Sequence, residues 1–247
     1  MAVVLAGGFG TRIRHLLGPV PKPLAPVCGQ PFLHWVVEFL RSQGVGRILL
    51  LTHHASEQVQ AFADRASVDR SPVSCLRESE PLGTGGSILN AIRHYPDLQE
   101  EFIVVNGDSL VLSQLSVAWN LLLEGADGVL VGVPVDDAER YGSLEADASG
   151  RLMRYAEKRP GRGLVNAGVY LLRKSVLASF DEDRRPLSIE LDLFPAMLAA
   201  GANLRIFADN AEFLDIGTEA TLPLAEAFVR EFLLPNMRAT ARMENET

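Results

Sequence analysis

The opening stretch constrains this chain more than any other: an apolar run, Ala2 to Ala6, breaks into Gly7-Gly8-Phe9-Gly10-Thr11-Arg12, and Lys22 follows between Pro21 and Pro23. A short continuous apolar run reads as a buried strand. A strand that runs into glycines brings backbone N–H groups close to a phosphate, because no Cβ intervenes. Arg12 and Lys22 add the cations that a polyphosphate needs. Two other glycine-rich loops are excluded. No Gly-Lys-Ser/Thr follows, so this is not a P-loop. Ile13 stands where a dinucleotide-binding turn needs its third glycine, and the acidic residue about 20 positions on is missing. An ordinary tight turn would explain the glycines, but not Thr11-Arg12 together with Pro-Lys-Pro. The pattern points to a nucleotide-using enzyme. Leu5, Ala6, Gly7, Gly8, Gly10 and Thr11 are expected against the nucleotide, and Arg12 and Lys22 on its phosphates.

Composition removes several alternatives. With a net charge of −8, a broad basic face for nucleic acid is not expected, so local cations must meet any anionic substrate. Cys28 and Cys75 form no disulfide framework, and their spacing suits no metal. The chain begins directly with a strand pattern, without the charged and apolar regions of a secretory leader. No apolar stretch approaches the ~20 residues of a spanning helix. A cytoplasmic protein with no membrane partner is the expectation.

Periodicity sets the fold class. Ala2–Ala6, Ile48–Thr52, Phe102–Asn106 and Gly128–Pro134 read as buried strands. Helical spacing runs from Phe32 to Leu40 with Gly44 as a stop, and recurs at about 56–66, 85–94 and 114–124. Alternating strands and helices predict an α/β fold with a doubly wound, mostly parallel sheet and ligands at the carboxyl ends of its strands. Beyond residue 140 come a hairpin, Ser143–Ala146 with Leu152–Lys158, a strand Val165–Arg173, and helices near 174–180 and 189–200. Residues 1–235 are read as one domain, with a Rossmann-like nucleotide half to about 135 and a second half from 136; 236–247 are read as a frayed tail.

A second constellation is Val104-Val105-Asn106-Gly107-Asp108. It places a carboxylate at the carboxyl edge of the sheet. Mg²⁺ is usually held by one or two carboxylates plus substrate phosphates, so Asp108 is the first candidate ligand. A third is Glu78-Ser79-Glu80-Pro81-Leu82-Gly83-Thr84-Gly85-Gly86, a further glycine-rich stretch ahead of helical spacing. The histidines have no metal-ligand spacing and read as structural.

Gly7-Gly8-Phe9-Gly10-Thr11-Arg12-Ile13 followed by Pro21-Lys22-Pro23-Leu24 resembles the opening of the sugar-1-phosphate nucleotidylyltransferases, and the resemblance runs from Ala2 to about Glu226. Within them the chain is most similar to the D-glycero-D-manno-heptose 1-phosphate guanylyltransferases. The resemblance implies the nucleotide-diphospho-sugar transferase fold, with a nucleoside triphosphate and a sugar 1-phosphate as partners and Mg²⁺ as cofactor. It implies that Asp215, in Phe213-Leu214-Asp215-Ile216-Gly217-Thr218, completes the metal site with Asp108. Gly83 and Thr84 would pack around base and ribose, and because guanine offers two donors that a carboxylate accepts as a pair, Glu78 or Glu80 would be the base reader. Lys158 would meet the phosphate of the sugar 1-phosphate, joining Arg12 and Lys22 as catalytic cations, while Gly142, Glu157, Asn166 and Gly168 would bind the sugar. Two positions depart from the pattern: Glu219 where proline usually follows the threonine, and Arg159 between Lys158 and Pro160.

The expected activity is transfer of GMP to a manno-configured heptose 1-phosphate, feeding surface-glycan synthesis. Mannose 1-phosphate with GTP, N-acetylmuramate 1-phosphate with UTP, and a non-catalytic nucleotide-sugar sensor remain alternatives. Oligomeric state, a homo-oligomer included, is not fixed by the sequence.

Overall fold

The computed structural model describes residues 1–69, 71–156, 160–180 and 186–237. The tail expected at Arg238 to Thr247 lies outside them. Among the described residues the chain forms two compact units, one within residues 2–77, 106–112 and from 212 on, the other from Met1 and within 78–105 and 113–211.

In the first unit, strands Ala2–Leu5, Ile48–Thr52 and Val73–Arg77 pair in parallel, in that spatial order. The middle strand, Ile-Leu-Leu-Leu-Thr, is buried throughout, which is why it reads as an unbroken apolar run. Parallel neighbours need crossovers, and helices Phe32–Ser42 and Ser56–Ala66 supply them. The first helix buries Phe32, Leu33, Val36, Val37, Phe39 and Leu40. It ends at Gly44, φ 77°, where Gly44 and Val45 N–H donate to the Arg41 and Leu40 carbonyls at 2.9 and 3.1 Å. Glycine at this position satisfies the last carbonyls at no steric cost. The strand Val73–Arg77 escapes the sequence reading because only Val73 is fully buried and the rest grade outward. A two-stranded ladder completes this unit: Ser109–Val111 runs antiparallel to Phe213–Asp215, with Asp215 opposite Ser109. Strands of three residues are too short to show a period.

In the second unit, strand Gly163–Arg173 pairs antiparallel with Glu101–Asn106 on one side and Gly128–Val135 on the other. Gly128–Val135 pairs in parallel with Leu204–Ala208. The expected hairpin is present as Ser143–Ala146 with Leu152–Ala156. Its turn is held by Asp147 Oδ1, which accepts from Ser149 N at 2.8 Å and Arg151 N at 3.0 Å. The helix expected over 189–200 is a wide π turn, Ile189–Leu193, leading into an α-helical stretch, Phe194–Ala199. Pro195 has no N–H to donate to the Leu191 carbonyl, which removes the α-helical bond at that step.

The glycine-rich stretch at 83–86 is not a loop. Helix Gly83–His94 begins at Gly83, and the Gly85 and Gly86 N–H groups both donate to the Leu187 carbonyl, at 2.8 and 3.3 Å. These helix-start donors are therefore satisfied within the chain. Gly83 has φ 75°, and a Cβ there would collide with the Leu187 carbonyl. Gly83→Ala combines left-handed strain of ~1–2 kcal/mol with that overlap, so it is expected to lower the denaturation midpoint clearly. An unchanged midpoint would contradict this packing.

Candidate active site

In the first unit the glycine turn, the Lys22 segment and Asp108 line a cleft of about 260 Å³. Its walls include Leu5, Gly8, Gly10, Thr11, Arg12 and Lys22, all expected at the nucleotide. Ala6 and Gly7 are not among the wall residues. Ala6 N–H donates to the Leu51 carbonyl at 2.9 Å, and a Cβ on Gly7 would stand 3.0 Å from His53 N, so both shape the strand end. Gly10 has φ 58°, and its Cβ would stand 2.9 Å from Lys22 Cβ; only glycine lets the turn close on Lys22. Lys22 opens a single 3₁₀ turn, Lys22–Leu24, with Pro21 fixing the approach and Pro23 buried beneath.

The Lys22 ammonium lies 2.5 Å from Asp108 Oδ2, with the lysine side chain 14% exposed and the aspartate 30%. Gly107 makes this possible: its N–H donates to the Leu5 carbonyl at 3.0 Å, and a Cβ would stand 2.8 Å from that oxygen. The short ladder then brings in Asp215. Ser109 Oγ lies 3.3 Å from both Asp108 Oδ1 and Asp215 Oδ2, so one hydroxyl proton serves two carboxylates. Gly217 N–H donates to Asp215 Oδ1 at 2.8 Å. A Cβ on Gly217 would stand 2.6 Å from Asp215 Oδ1 and 2.8 Å from Lys22 Nζ, so this glycine leaves room for both charges. Burial raises the Asp215 pKa, and the neighbouring Asp108 charge raises it further, against the lowering effect of Lys22. Two carboxylates against one lysine leave the cluster short of positive charge.

The second unit holds the other expected site residues. Glu78 is 5% exposed, whereas Glu80 faces solvent. Thr84 Oγ1 donates to Glu190 Oε2 at 3.1 Å. Gly142 leaves room for the chain itself: a Cβ there would collide with the Tyr155 hydroxyl. Asn166 is held on both sides of its amide. Its Oδ1 accepts from Gly168 N at 3.0 Å, and its Nδ2 donates to Tyr170 Oη at 2.7 Å. Glu157 and Lys158 lie outside the described residues. The sequence reading missed Ser109, Gly217, Tyr155, Tyr170 and Glu190. Ser109 and Gly217 carry a signal in hindsight, each standing close in the chain to a candidate metal ligand.

The sequence pattern of the nucleotidyl transferase family matches residues 1–231. The chain belongs to that family. Within it, this chain is 31% identical over 218 residues to the D-glycero-alpha-D-manno-heptose 1-phosphate guanylyltransferase of Aneurinibacillus thermoaerophilus, covering 87% of this chain and 92% of the relative. The mannose-1-phosphate guanylyltransferase of Mycobacterium tuberculosis is also 31% identical, over 88% of this chain but 61% of its own length. The crystal structure of HddC from Yersinia pseudotuberculosis complexed with GMP-PN superposes with a TM-score of 0.80 at 33% identity, covering 92% of this chain and 97% of HddC. The fold is that of the nucleotide-diphospho-sugar transferases, as the sequence led us to expect. This member of the nucleotidyl transferase family is a sugar-1-phosphate nucleotidylyltransferase.

Proposed function

We propose that this chain transfers GMP from GTP to D-glycero-α-D-manno-heptose 1-phosphate, giving GDP-heptose and pyrophosphate. The observation that carries the chemistry is the Lys22–Asp108–Ser109–Asp215 cluster beside the glycine turn. The heptose is favoured by the D-glycero-alpha-D-manno-heptose 1-phosphate guanylyltransferase that this chain resembles, and the guanine nucleotide by the HddC complex with GMP-PN. The cytoplasm and surface-glycan synthesis are part of the same reading. Among the described residues, no helix is long and apolar enough to cross a membrane.

A sugar 1-phosphate is already an ionised oxygen nucleophile near neutral pH, so the protein need not supply a strong base. The difficulty is bringing one polyanion to another in line with the departing pyrophosphate, which is a matter of positioning and electrostatics. In this reading the loop amides and Arg12 hold the β- and γ-phosphates and stabilise pyrophosphate as it leaves. Lys22 and Lys158 offset charge where the two substrates meet. Glu78 or Glu80 is the base reader, and Gly142, Glu157, Asn166 and Gly168 belong to the sugar side.

Asp108 and Asp215 fit a divalent cation. They form a carboxylate pair with a shared hydroxyl, and Mg²⁺ takes one or two carboxylates plus substrate phosphates. Among the described residues no group of three or more His, Cys, Asp or Glu could hold a metal alone, so the substrate would complete the shell. Such an ion supplies positive charge at the phosphoryl oxygens.

The test is Mg²⁺-dependent pyrophosphate release with GTP, UTP, CTP and dTTP, each against heptose, mannose, glucose and N-acetylmuramate 1-phosphates. Activity confined to GTP with the heptose is expected. Another active pair would overturn the substrate assignment and keep the chemistry. Glu78→Gln or Glu80→Gln is expected to relax the preference for GTP over UTP in the same assay; an unchanged preference in both would remove the base readers.

A further inference from the structure

The sequence reading gives Glu190 no role, yet it is bonded from three sides. Tyr170 Oη lies 3.1 Å from its Oε1, and Thr84 Oγ1 and Ser188 Oγ lie 3.1 and 2.8 Å from its Oε2. Among the described residues no cation pairs with it within ion-pair distance. All three hydroxyls donate to it. That fixes the direction of everything upstream. Tyr170, 0% exposed, donates to Glu190 and so offers only lone pairs to its other neighbour. Asn166 must therefore present Nδ2 to Tyr170, at 2.7 Å. Gly168 requires the same orientation independently, because a backbone N–H can only donate to Oδ1, at 3.0 Å. The second Nδ2 hydrogen points toward Tyr155 Oη, 3.5 Å away. Tyr155 thus keeps its own proton for an acceptor elsewhere. Burial pushes its phenol up to about 12, so that proton stays in place across the working pH range.

We propose that Glu190 is a positioning residue that, through Tyr170, fixes the Asn166 amide with the second lone pair of its Oδ1 as an acceptor and leaves the Tyr155 hydroxyl as a donor, one set pattern for the hydroxyls of the sugar 1-phosphate. The proposal rests on the reading of Asn166 as a sugar residue. It also gives Gly142 a reason, since the Tyr155 hydroxyl occupies the space a Cβ would need. Thr84 gains one too: its hydroxyl donates to Glu190 and accepts from Ile189 N at 2.9 Å, tying the start of helix Gly83–His94 to the same carboxylate. A hydrogen-bonded chain of this kind acts as a unit, because reversing one member reverses its neighbours.

The test compares Glu190→Gln, Tyr170→Phe and the double variant with the wild-type protein. Glu190→Gln keeps the side-chain volume but places an amide donor among hydroxyls that already donate. KM for the sugar 1-phosphate is expected to rise about tenfold in each single variant, the loss of roughly one oriented hydrogen bond, with KM for GTP within about twofold. The double variant is expected to be no worse than either single one. Calorimetric titration with heptose 1-phosphate and mannose 1-phosphate reads the same weakening without turnover. If Tyr170→Phe does not fold, Glu190→Gln carries the test alone. An unchanged KM for the sugar 1-phosphate in folded Glu190→Gln overturns the proposal, and so does an equal rise for GTP. Wild-type protein that binds these sugar phosphates but shows no transfer contradicts the proposed function, not the relay.

Discussion

Replacing Lys22 with alanine is expected to lower turnover at least 100-fold while leaving the protein folded. The side chain lies at the cleft wall and its ammonium is 2.5 Å from Asp108. Removing a cation from a site that gathers phosphates costs ~3–4 kcal/mol of barrier, by analogy with the loss of an oxyanion donor, and each ~1.4 kcal/mol is tenfold in rate. Folding is expected to survive because the turn itself is set by Pro21, Pro23 and Gly10, which the substitution leaves in place. Lys22→Arg is not expected to restore the rate. The ammonium is a compact point charge against Asp108 Oδ2, and a longer planar guanidinium cannot place its charge at the same position. Circular dichroism and steady-state pyrophosphate release together check this. Retention of most activity in folded Lys22→Ala would contradict the role given to the lysine.

Asp215→Asn is expected to separate stability from activity. Burial and the Asp108 charge raise the Asp215 pKa, so the ionised group is a burden on the metal-free fold. The sign follows from proton counts. Between the ordinary value of 3.8 and the raised folded value, the unfolded chain has released a proton that the folded chain still holds. Stability therefore falls as pH rises through that window and stays at the lower level above it. Asparagine removes this penalty and keeps the acceptor for Gly217 N–H. The variant is expected to melt higher than wild type at neutral pH without metal, and to lose the part of the pH dependence that Asp215 causes. Turnover is expected to fall on the order of 10³-fold, since a divalent cation loses one of its two protein carboxylates and supplies several kcal/mol to such reactions. Added Mg²⁺ should raise the melting temperature of wild type more than that of the variant. A variant that melts lower than wild type without metal would contradict the electrostatic account of the pair.

The parts of the site that were legible in the sequence are those whose chemistry is contiguous. Gly8 to Arg12 and Pro21-Lys22-Pro23 sit close in the chain, and glycine and proline each impose a backbone geometry that a reader can infer without neighbours. Asp108 was legible because an apolar strand leads straight to it. Ser109 was not, because its meaning comes from the register of two three-residue strands roughly a hundred positions apart. The second glycine cluster was legible as a site of close approach, but the structure shows the partner to be the Leu187 carbonyl. Sequence shows that a Cβ is missing, not what would have struck it. Glu190 was invisible for a similar reason: one acidic residue in Ser188-Ile189-Glu190-Leu191-Asp192 looks like a solvated helix face until Tyr170 and Thr84 are folded against it. The strands of the fold were easier, because burial on both faces writes itself as an apolar run, whereas Val73–Arg77 and Leu204–Ala208 mix polar residues into the pattern.

The most direct test of the whole account is to incubate the wild-type protein with GTP, heptose 1-phosphate and Mg²⁺ and follow both products by ³¹P NMR. GDP-heptose and pyrophosphate appearing in equal amounts, abolished by chelation of the metal and by Lys22→Ala, is the expected result. A protein that binds GDP-heptose tightly yet releases no pyrophosphate with any of the sugar 1-phosphates would contradict it.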